Sequence, residues 1–389
     1  MAIPTLPSDI IIDILSRLPS KTLIRFKSVC KQWYSLINSS NFINLHLSQT
    51  LISQNFRNII ISHNSLFSSP ISDNYTNPNF HFSELDHPIK QIPHFPNIIG
   101  SINGLLCISV YDKSSTSTFL YNPSTKTHRL IPPCPNENSE ITHGYNTLTF
   151  VVVGFGFDSV SRDYKVVRMS QGYKNGVTVC HETSVYSLRN DSWKCVADQT
   201  MMGKSVFQGG MVVCVNESLH FIIVDTMSYY KFKVKCFNLQ TETFSIFDLP
   251  KFDEKFSNVS CVMRELGGCF SVLVNYQNVM VRRGDRTLAR VDLWVMKEHG
   301  KNESWFRLFS ICDLAMFPHC VHMTPVVFSK DKERVLLELN NSSFGWYSLG
   351  RNTFERITVH GWPRKAACDS WTFLDSLVPL RKDKYTDNS

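Results

Sequence analysis

Twelve cysteines and thirteen histidines carry the most reactive side chains of this 389-residue chain, and their spacing decides what they could do. Cys312, His319, Cys320 and His322 gather soft ligands within eleven residues. Zinc sites bring their ligands in tighter pairs, and the sequence has no CxxC, so loop and core positions are the better reading. Gly154-Phe155-Gly156 could begin a phosphate-cradling loop, yet Ser159 stands where a dinucleotide fingerprint needs its third glycine, and no helical pattern follows. It reads instead as a strand of small residues packed closely against its neighbours. The sequence contains neither a Walker motif nor a GxSxG elbow, and Asp and Glu fall singly in turns, so no carboxylate pair stands out for acid–base work. Trp193, Trp294, Trp305 and Trp346 could line a ligand groove, but packing is the better reading of rings in strand segments. The residues therefore nominate no catalytic set, no metal ligands and no cofactor.

The length exceeds the roughly 250–300 residues that one core usually holds, so two domains, or a small domain beside a repeat array, are expected. With 43% hydrophobic, 12% aromatic and 19% charged residues, the composition excludes disorder, collagen and coiled coil. No apolar run approaches the roughly 18–20 residues of a membrane span, and a secretory start is not evident, so a soluble intracellular protein is expected. Scattered cysteines in such a chain read as free thiols, and the Asn-x-Ser/Thr triplets at Asn38, Asn190 and Asn302 as unglycosylated. A formal charge of +7 is too modest to imply nucleic acid.

The charge is concentrated. Residues 1–49 hold Arg17, Lys21, Arg25, Lys27 and Lys31 against Asp9 and Asp13. Apolar spacings of three and four predict a helix over residues 7–18, started by Pro7 and ended by Pro19, then short helices over 22–27 and 30–37. So small a unit can hardly bury all its apolar side chains internally, and a partner surface is the natural completion.

The order Leu6-Pro7, Ile10, Ile14-Leu15, Leu18-Pro19, Leu23, Phe26, Val29-Cys30-Lys31 and Trp33 resembles an F-box over residues 4–44. The resemblance implies docking onto a Skp-type adaptor of SCF ubiquitin ligases, an acidic partner suited to the basic residues. By the same resemblance Leu6, Pro7, Ile10, Ile14, Leu15, Leu18, Pro19, Leu23, Val29, Cys30 and Trp33 form the docking face or the core behind it.

After residue 50 the texture changes to β-branched and aromatic runs cut by polar turns. One unit recurs from Tyr121, Tyr186, Phe237, Trp294 and Tyr347: an aromatic, a polar turn, then a ring seven positions on (His128, Trp193, Phe244, Phe354), or eleven at Trp305 after an insertion. Such hairpins can bring two rings together across the strands. A further turn and apolar strand lie upstream of each, among them Asn103-Gly104 and Gly267-Gly268. Units of about 50 residues are the size of a propeller blade, and the chain length favours six. Asn58–Ser62 and Phe80–Leu85 would add an early blade, and a strand near Trp371–Leu380 would close the repeat against early strands. A sandwich or barrel is the rival architecture. The fold expected is thus mainly β: a three-helix F-box over 1–49, a connecting segment and first blade over 50–97, propeller repeats over 98–380 and a polar tail over 381–389.

Segments LYNPSTKTHRLIPP, GFGFDSVSRDYKVVRM, VYSLRNDSWK, VDLWVMKE, SKDKERVLLELN and SLVPL resemble the plant F-box-associated domain, close to kelch-repeat F-box proteins. VDLWVMKE and LLELN are most similar to the group that restrains plant defence; pollen S-locus F-box proteins of self-incompatibility share the layout, though they recognise basic S-RNases, to which a chain of +7 is poorly matched. The resemblance implies a non-catalytic receptor that binds a Skp-type adaptor, reaches the cullin-RING scaffold through it, and recruits a target protein in cytoplasm or nucleus. It implies no cofactor, no nucleic acid and no membrane. Pro132–Asn146, Gly172–His181, Ala197–Gly209 and Phe252–Asn258 are candidate target-reading loops. A kelch-type propeller enzyme with a helical appendage, and an adaptor binder that assembles no ligase, are the alternatives.

Overall fold

The computed structural model describes residues 6–72, 79–87, 96–111, 116–135, 148–174, 177–198, 205–207, 211–225, 232–253, 255–256, 258–279, 286–317, 319–362 and 369–380. Four N-terminal helices precede a six-bladed β-propeller. The chain divides into two compact units, residues 1–131 with 359–363 and 369–389, and residues 132–358 with 364–368. Among the described residues no helix is long and apolar enough to cross a membrane.

The first unit starts with α1 (Ser8–Ser16), α2 (Ser20–Phe26) and α3 (Lys31–Asn38). Pro7 and Pro19 occupy the N-cap positions of α1 and α2, where a missing N–H costs nothing. A fourth helix, α4 (Ser40–Ser53), corrects the expected three. Its N-cap is Ser39, whose Oγ accepts from the Phe42 N–H at 3.3 Å. Its buried stripe is Phe42, His46 and Thr50, while Leu45, Leu51 and Ile52 face solvent. Polar residues inside and apolar residues outside invert the pattern by which a helix is recognised.

Two blades complete this unit. In the first, Ser370–Leu374 pairs antiparallel with Arg57–Ser62, which pairs with Leu66–Pro70, which pairs with Ser83–Glu84. The expected closure by a late strand is therefore present. The second runs Pro96–Ile102, Leu105–Tyr111, Thr116–Asn122, Thr127–Ile131. Its first turn, Asn103-Gly104, has φ of 54° and 80°. A Cβ on Gly104 would lie 2.6 Å from the Leu374 carbonyl oxygen, so the C-terminal strand can pass only because this residue is glycine.

The second unit holds four blades: Leu148–Asp158 to Ser192–Val196 (third), Ser205–Phe207 to Phe244–Asp248 (fourth), Asn258–Leu266 to Trp305–Ile311 (fifth), and Met323–Phe328 to Thr353–Arg356 (sixth). The hairpin rule holds where the turn is seven residues. Tyr121 faces His128, Tyr186 faces Trp193, Phe237 faces Phe244 and Tyr347 faces Phe354 across their strands. It fails at the insertion: the longer turn, with a 3₁₀ segment at Asn302–Ser304, puts Trp305 opposite Met296 and Trp294 opposite Arg307, whose guanidinium lies over the Trp294 ring, and a bulge follows at Leu293/Trp294.

Side chains also lock neighbouring blades. Gly154 and Gly156 lie in a strand against Leu219 and Leu239, where added Cβ atoms would approach within 2.8 and 2.4 Å, so the GFG segment is a packing device. Three fully buried amides reach across to backbone: Asn122 donates to the carbonyls of Ser376 and Val378 at 3.1 and 2.9 Å, and Gln171 donates to the Ser205 carbonyl and accepts from the Phe207 N–H. Asn275 donates to the Met323 carbonyl at 3.0 Å and accepts from the Met323 N–H at 2.9 Å, reproducing one step of a β-ladder between blades five and six. The tryptophans pack similarly: Trp193 Nε1 donates to the Pro132 carbonyl, Trp305 Nε1 to the Asp248 carbonyl, Trp294 joins the apolar cluster between the fourth and fifth blades, and Trp346 is buried in the sixth.

Of the expected loops, Gly172–His181 is mostly strand, since Asp163–Lys174 and Val177–Ser187 pair along it. Ala197–Gly209 contains the strand Ser205–Phe207, and Pro132–Asn146 lies outside the described residues beyond Pro135. In Phe252–Asn258, Asp253 pairs with Arg290 at 2.9 Å. Asn275→Ala strands two buried backbone groups of Met323, each worth about 1–3 kcal/mol. Chemical denaturation is expected to show a loss of about 2–4 kcal/mol, and proteolysis to begin at the junction of the fifth and sixth blades.

Candidate functional site

The eleven residues nominated from the sequence separate by burial. Leu15 and Leu23 are interior, in a core with Ile37, Phe42 and Leu377, so a residue near the C-terminus completes the helical core. Leu18 and Trp33 pack on its edge, the Trp33 ring 5.3 Å from that of Phe26, and Pro19 is half-buried. Leu6, Pro7, Ile10, Ile14, Val29 and Cys30 face solvent, with Leu6 58%, Ile10 46%, Ile14 48% and Val29 60% exposed. These six cannot be holding the core together.

Local structure sets this division. Ile10 and Ile14 lie one turn apart on α1 and Leu6 one turn earlier, so the three repeat every four residues, while Leu15 points inward. Cys30 is the N-cap of α3 and its Sγ accepts from the Trp33 N–H at 3.4 Å, leaving Val29 at the end of the α2–α3 connection. Tyr34, 57% exposed on α3, belongs with the exposed set but escaped the sequence reading, because an amphipathic ring at a helix surface has no distinguishing pattern.

The same helices carry charge. Lys21, Arg25 and Lys31 are exposed. Arg17 pairs with Asp13 at 2.8 Å, and that hydrogen bond holds its pKa above the ordinary value. Lys27 donates to Asn38 Oδ1 at 2.7 Å, and partial burial lowers its pKa. Exposed apolar side chains and exposed cations on the same helices suit a partner that offers both apolar and acidic surface.

Behind the face, the His46 ring of α4 bonds the Leu18 carbonyl at 2.9 Å through Nε2, which must carry the proton. Its Nδ1 is buried without a hydrogen-bond partner among the described residues. Burial lowers the His46 pKa, opposed by the Leu18 bond and by Asp375. Cys312, His319, Cys320 and His322 do not converge: the Cys320 Sγ bonds the His322 carbonyl, the Cys312 Sγ bonds Ser310, and the His322 ring bonds Thr324.

Four short helices with an exposed apolar edge, followed by a six-bladed propeller, define the class of an F-box–propeller protein. The sequence matches the F-box domain over residues 3–45 and the F-box associated beta propeller domain over residues 52–378, and the chain belongs to the F-box proteins that carry this propeller. Among its relatives, the Arabidopsis thaliana F-box protein CPR1 is 30% identical over 390 residues, covering 96% of this chain and 89% of that one. F-box/kelch-repeat protein At3g23880 of Arabidopsis thaliana is 29% identical over 329 residues, covering 80% and 81%. Among solved structures, the GH93 alpha-L-arabinofuranosidase of Fusarium graminearum aligns with a TM-score of 0.42 at 12% identity, covering 68% of this chain and 81% of that one. So distant a likeness has no bearing on activity.

His46 predicts a pH dependence. Its folded pKa lies below the unfolded value near 6.5, so below that pH the unfolded state binds more protons and stability falls as pH drops toward the folded pKa. His46→Gln keeps a donor for the Leu18 carbonyl without a titrating ring. Over that window the wild type is expected to lose up to about 1.4 kcal/mol more stability per pH unit than the variant, measured by denaturant melts at successive pH values.

Proposed function

We propose that this protein is the substrate-recognition subunit of an SCF-type ubiquitin ligase. The helical face of Leu6, Pro7, Ile10, Ile14, Val29 and Cys30 docks onto a Skp-type adaptor, with Leu15, Leu18, Pro19, Leu23 and Trp33 as the core behind it. Through the adaptor the chain joins a cullin-RING scaffold, while the propeller holds a target protein for ubiquitination and proteasomal degradation. The observation that supports this most is the four-residue repeat of exposed apolar side chains on α1, with Val29 likewise exposed, in a domain whose own core is already filled.

The receptor's contribution is proximity. Holding a target beside the conjugating enzyme raises the effective concentration of its lysines, and the bond-making residues belong to other subunits. The sequence likeness of VDLWVMKE and LLELN to the defence-restraining group favours a target in plant defence, and cytoplasm and nucleus as the places of action.

Mutations should separate docking from folding. Ile10→Glu and Val29→Glu, at exposed positions, are expected to weaken adaptor binding at least tenfold, about 1.4 kcal/mol or more, with unchanged circular dichroism. Leu23→Ala is expected to cost about 2–5 kcal/mol of stability before it affects binding. Unchanged affinity of both glutamate variants in calorimetric titration would count against this docking face.

A further inference from the structure

In the second unit, three potential metal ligands from separate segments converge. His220 lies on the fourth-blade strand Ser218–Asp225 and Cys236 directly opposite it on Phe232–Asn238, a cross-strand pair whose side chains share one face. His299 comes from the turn after the fifth-blade strand Arg286–Met296. The His220 and His299 Nε2 atoms are 2.7 Å apart, the Cys236 Sγ is 3.7 Å from His220 Nε2, and all three ligand atoms lie within 4.8 Å of one another. His220 and Cys236 are buried, and His299 is half-buried.

The surroundings prepare these atoms as ligands. His220 Nδ1 faces the Val213 carbonyl at 3.1 Å and must donate to it, which fixes the tautomer with the Nε2 lone pair toward Cys236 and His299. The Phe270 ring stacks on His220 at 4.4 Å and Phe247 meets it edge-on, giving an apolar wall. Burial, and then the neighbouring His299, push the His220 pKa down to about 3, so the ring is a neutral ligand throughout the physiological range. Burial raises the Cys236 thiol, with hydrogen bonds from Ser218 and Ser245 working the other way; a bound cation would displace its proton.

We propose that His220, Cys236 and His299 form a mononuclear site for a thiophilic d10 cation, Zn2+ or Cu+, that ties the fourth blade to the fifth. Two imidazoles and a thiolate suit this class of ion and are a poor set for Mg2+ or Ca2+. With Zn–N of about 2.0–2.1 Å and Zn–S of about 2.3 Å, a tetrahedral ion needs the sulfur roughly 3.6 Å from each nitrogen, close to the 3.7 Å already present to His220 Nε2 and within reach of the 4.8 Å that bounds the cluster. The nitrogens need roughly 3.3 Å on the same bond lengths, so the half-buried His299 turn must withdraw by about 0.6 Å. A water completes the tetrahedron around Zn2+; trigonal Cu+ needs no fourth ligand and gives a neutral complex.

The test uses the full chain, purified without a metal-affinity tag, demetallated and reduced. Zn2+ is titrated against a chromophoric chelator, and Cu+ is titrated anaerobically against a cuprous chelator. One equivalent of either ion bound with sub-micromolar affinity is expected, and the two arms say which ion is preferred. His299→Gln, at a half-buried position that leaves the core intact, and Cys236→Ser should each weaken binding about 100-fold or more, beyond the roughly 10–100-fold typical of losing an outer partner. Cys195→Ser, at an exposed cysteine, should change nothing. X-ray absorption of the loaded protein should show one sulfur and two nitrogen donors. Failure of the full chain to bind either ion at this stoichiometry, or binding that survives His299→Gln, would overturn the proposal and leave the two imidazoles as a simple N–H···N pair.

Discussion

Much of the first unit depends on the antiparallel pairing of Ser370–Leu374 with Arg57–Ile61. Without it the first blade would present the edge of Arg57–Ser62, an unpaired row of backbone donors and acceptors. The same C-terminal stretch then serves two more purposes within a few residues. Ser376 and Val378 accept from the buried Asn122 amide, and Leu377 enters the helical core beside Leu15 and Leu23. Strand closure, blade two and the helices are therefore coupled through residues 370–380. A chain whose last strand has not yet formed lacks a wall of its helical core as well as a strand of its first blade.

A second constraint is how blades join side by side. Strand pairing satisfies backbone groups within a blade but cannot reach the next one. Gln171 and Asn275 bridge that gap with buried side-chain amides, each holding two backbone partners in the next blade, and Asn122 holds the C-terminal stretch in the same way. An amide can donate and accept at once, which a carboxylate or an ammonium cannot do. Apolar contact supplies the bulk of the packing energy, and these bonds fix register between neighbours.

The sequence made the broad fold legible wherever local chemistry dictated structure. Pro7 at the start of α1, the apolar repeat from Leu6 to Leu18, and seven-residue hairpins with rings at both ends all translate directly into elements, whereas Pro19, read as ending the first helix, also caps the second. Where context overrides pattern, reading failed. α4 buries His46 and Thr50 because the Leu18 carbonyl and a helical backbone carbonyl receive their polar atoms, which no hydrophobic period reveals. Trp305 lost its expected partner to a longer turn with a 3₁₀ segment that only the folded hairpin defines. The exposed members of the nominated set could not be told from the buried ones, since Ile14 and Leu15 are chemically alike and differ only in direction. The soft-ligand cluster was sought at Cys312–His322, where residues are close in sequence; the three that meet are separated by 16 and 79 residues.

In the function proposed, the work is divided: exposed apolar side chains that the fold does not need would dock the adaptor, and the repeated blades would supply the surface for a target. Amide hydrogen exchange of the full chain, alone and with a Skp-type adaptor, tests this division most directly. The account predicts new protection over residues 6–34 with the blades unchanged. Protection centred on the blades, or none in α1 to α3, would contradict it.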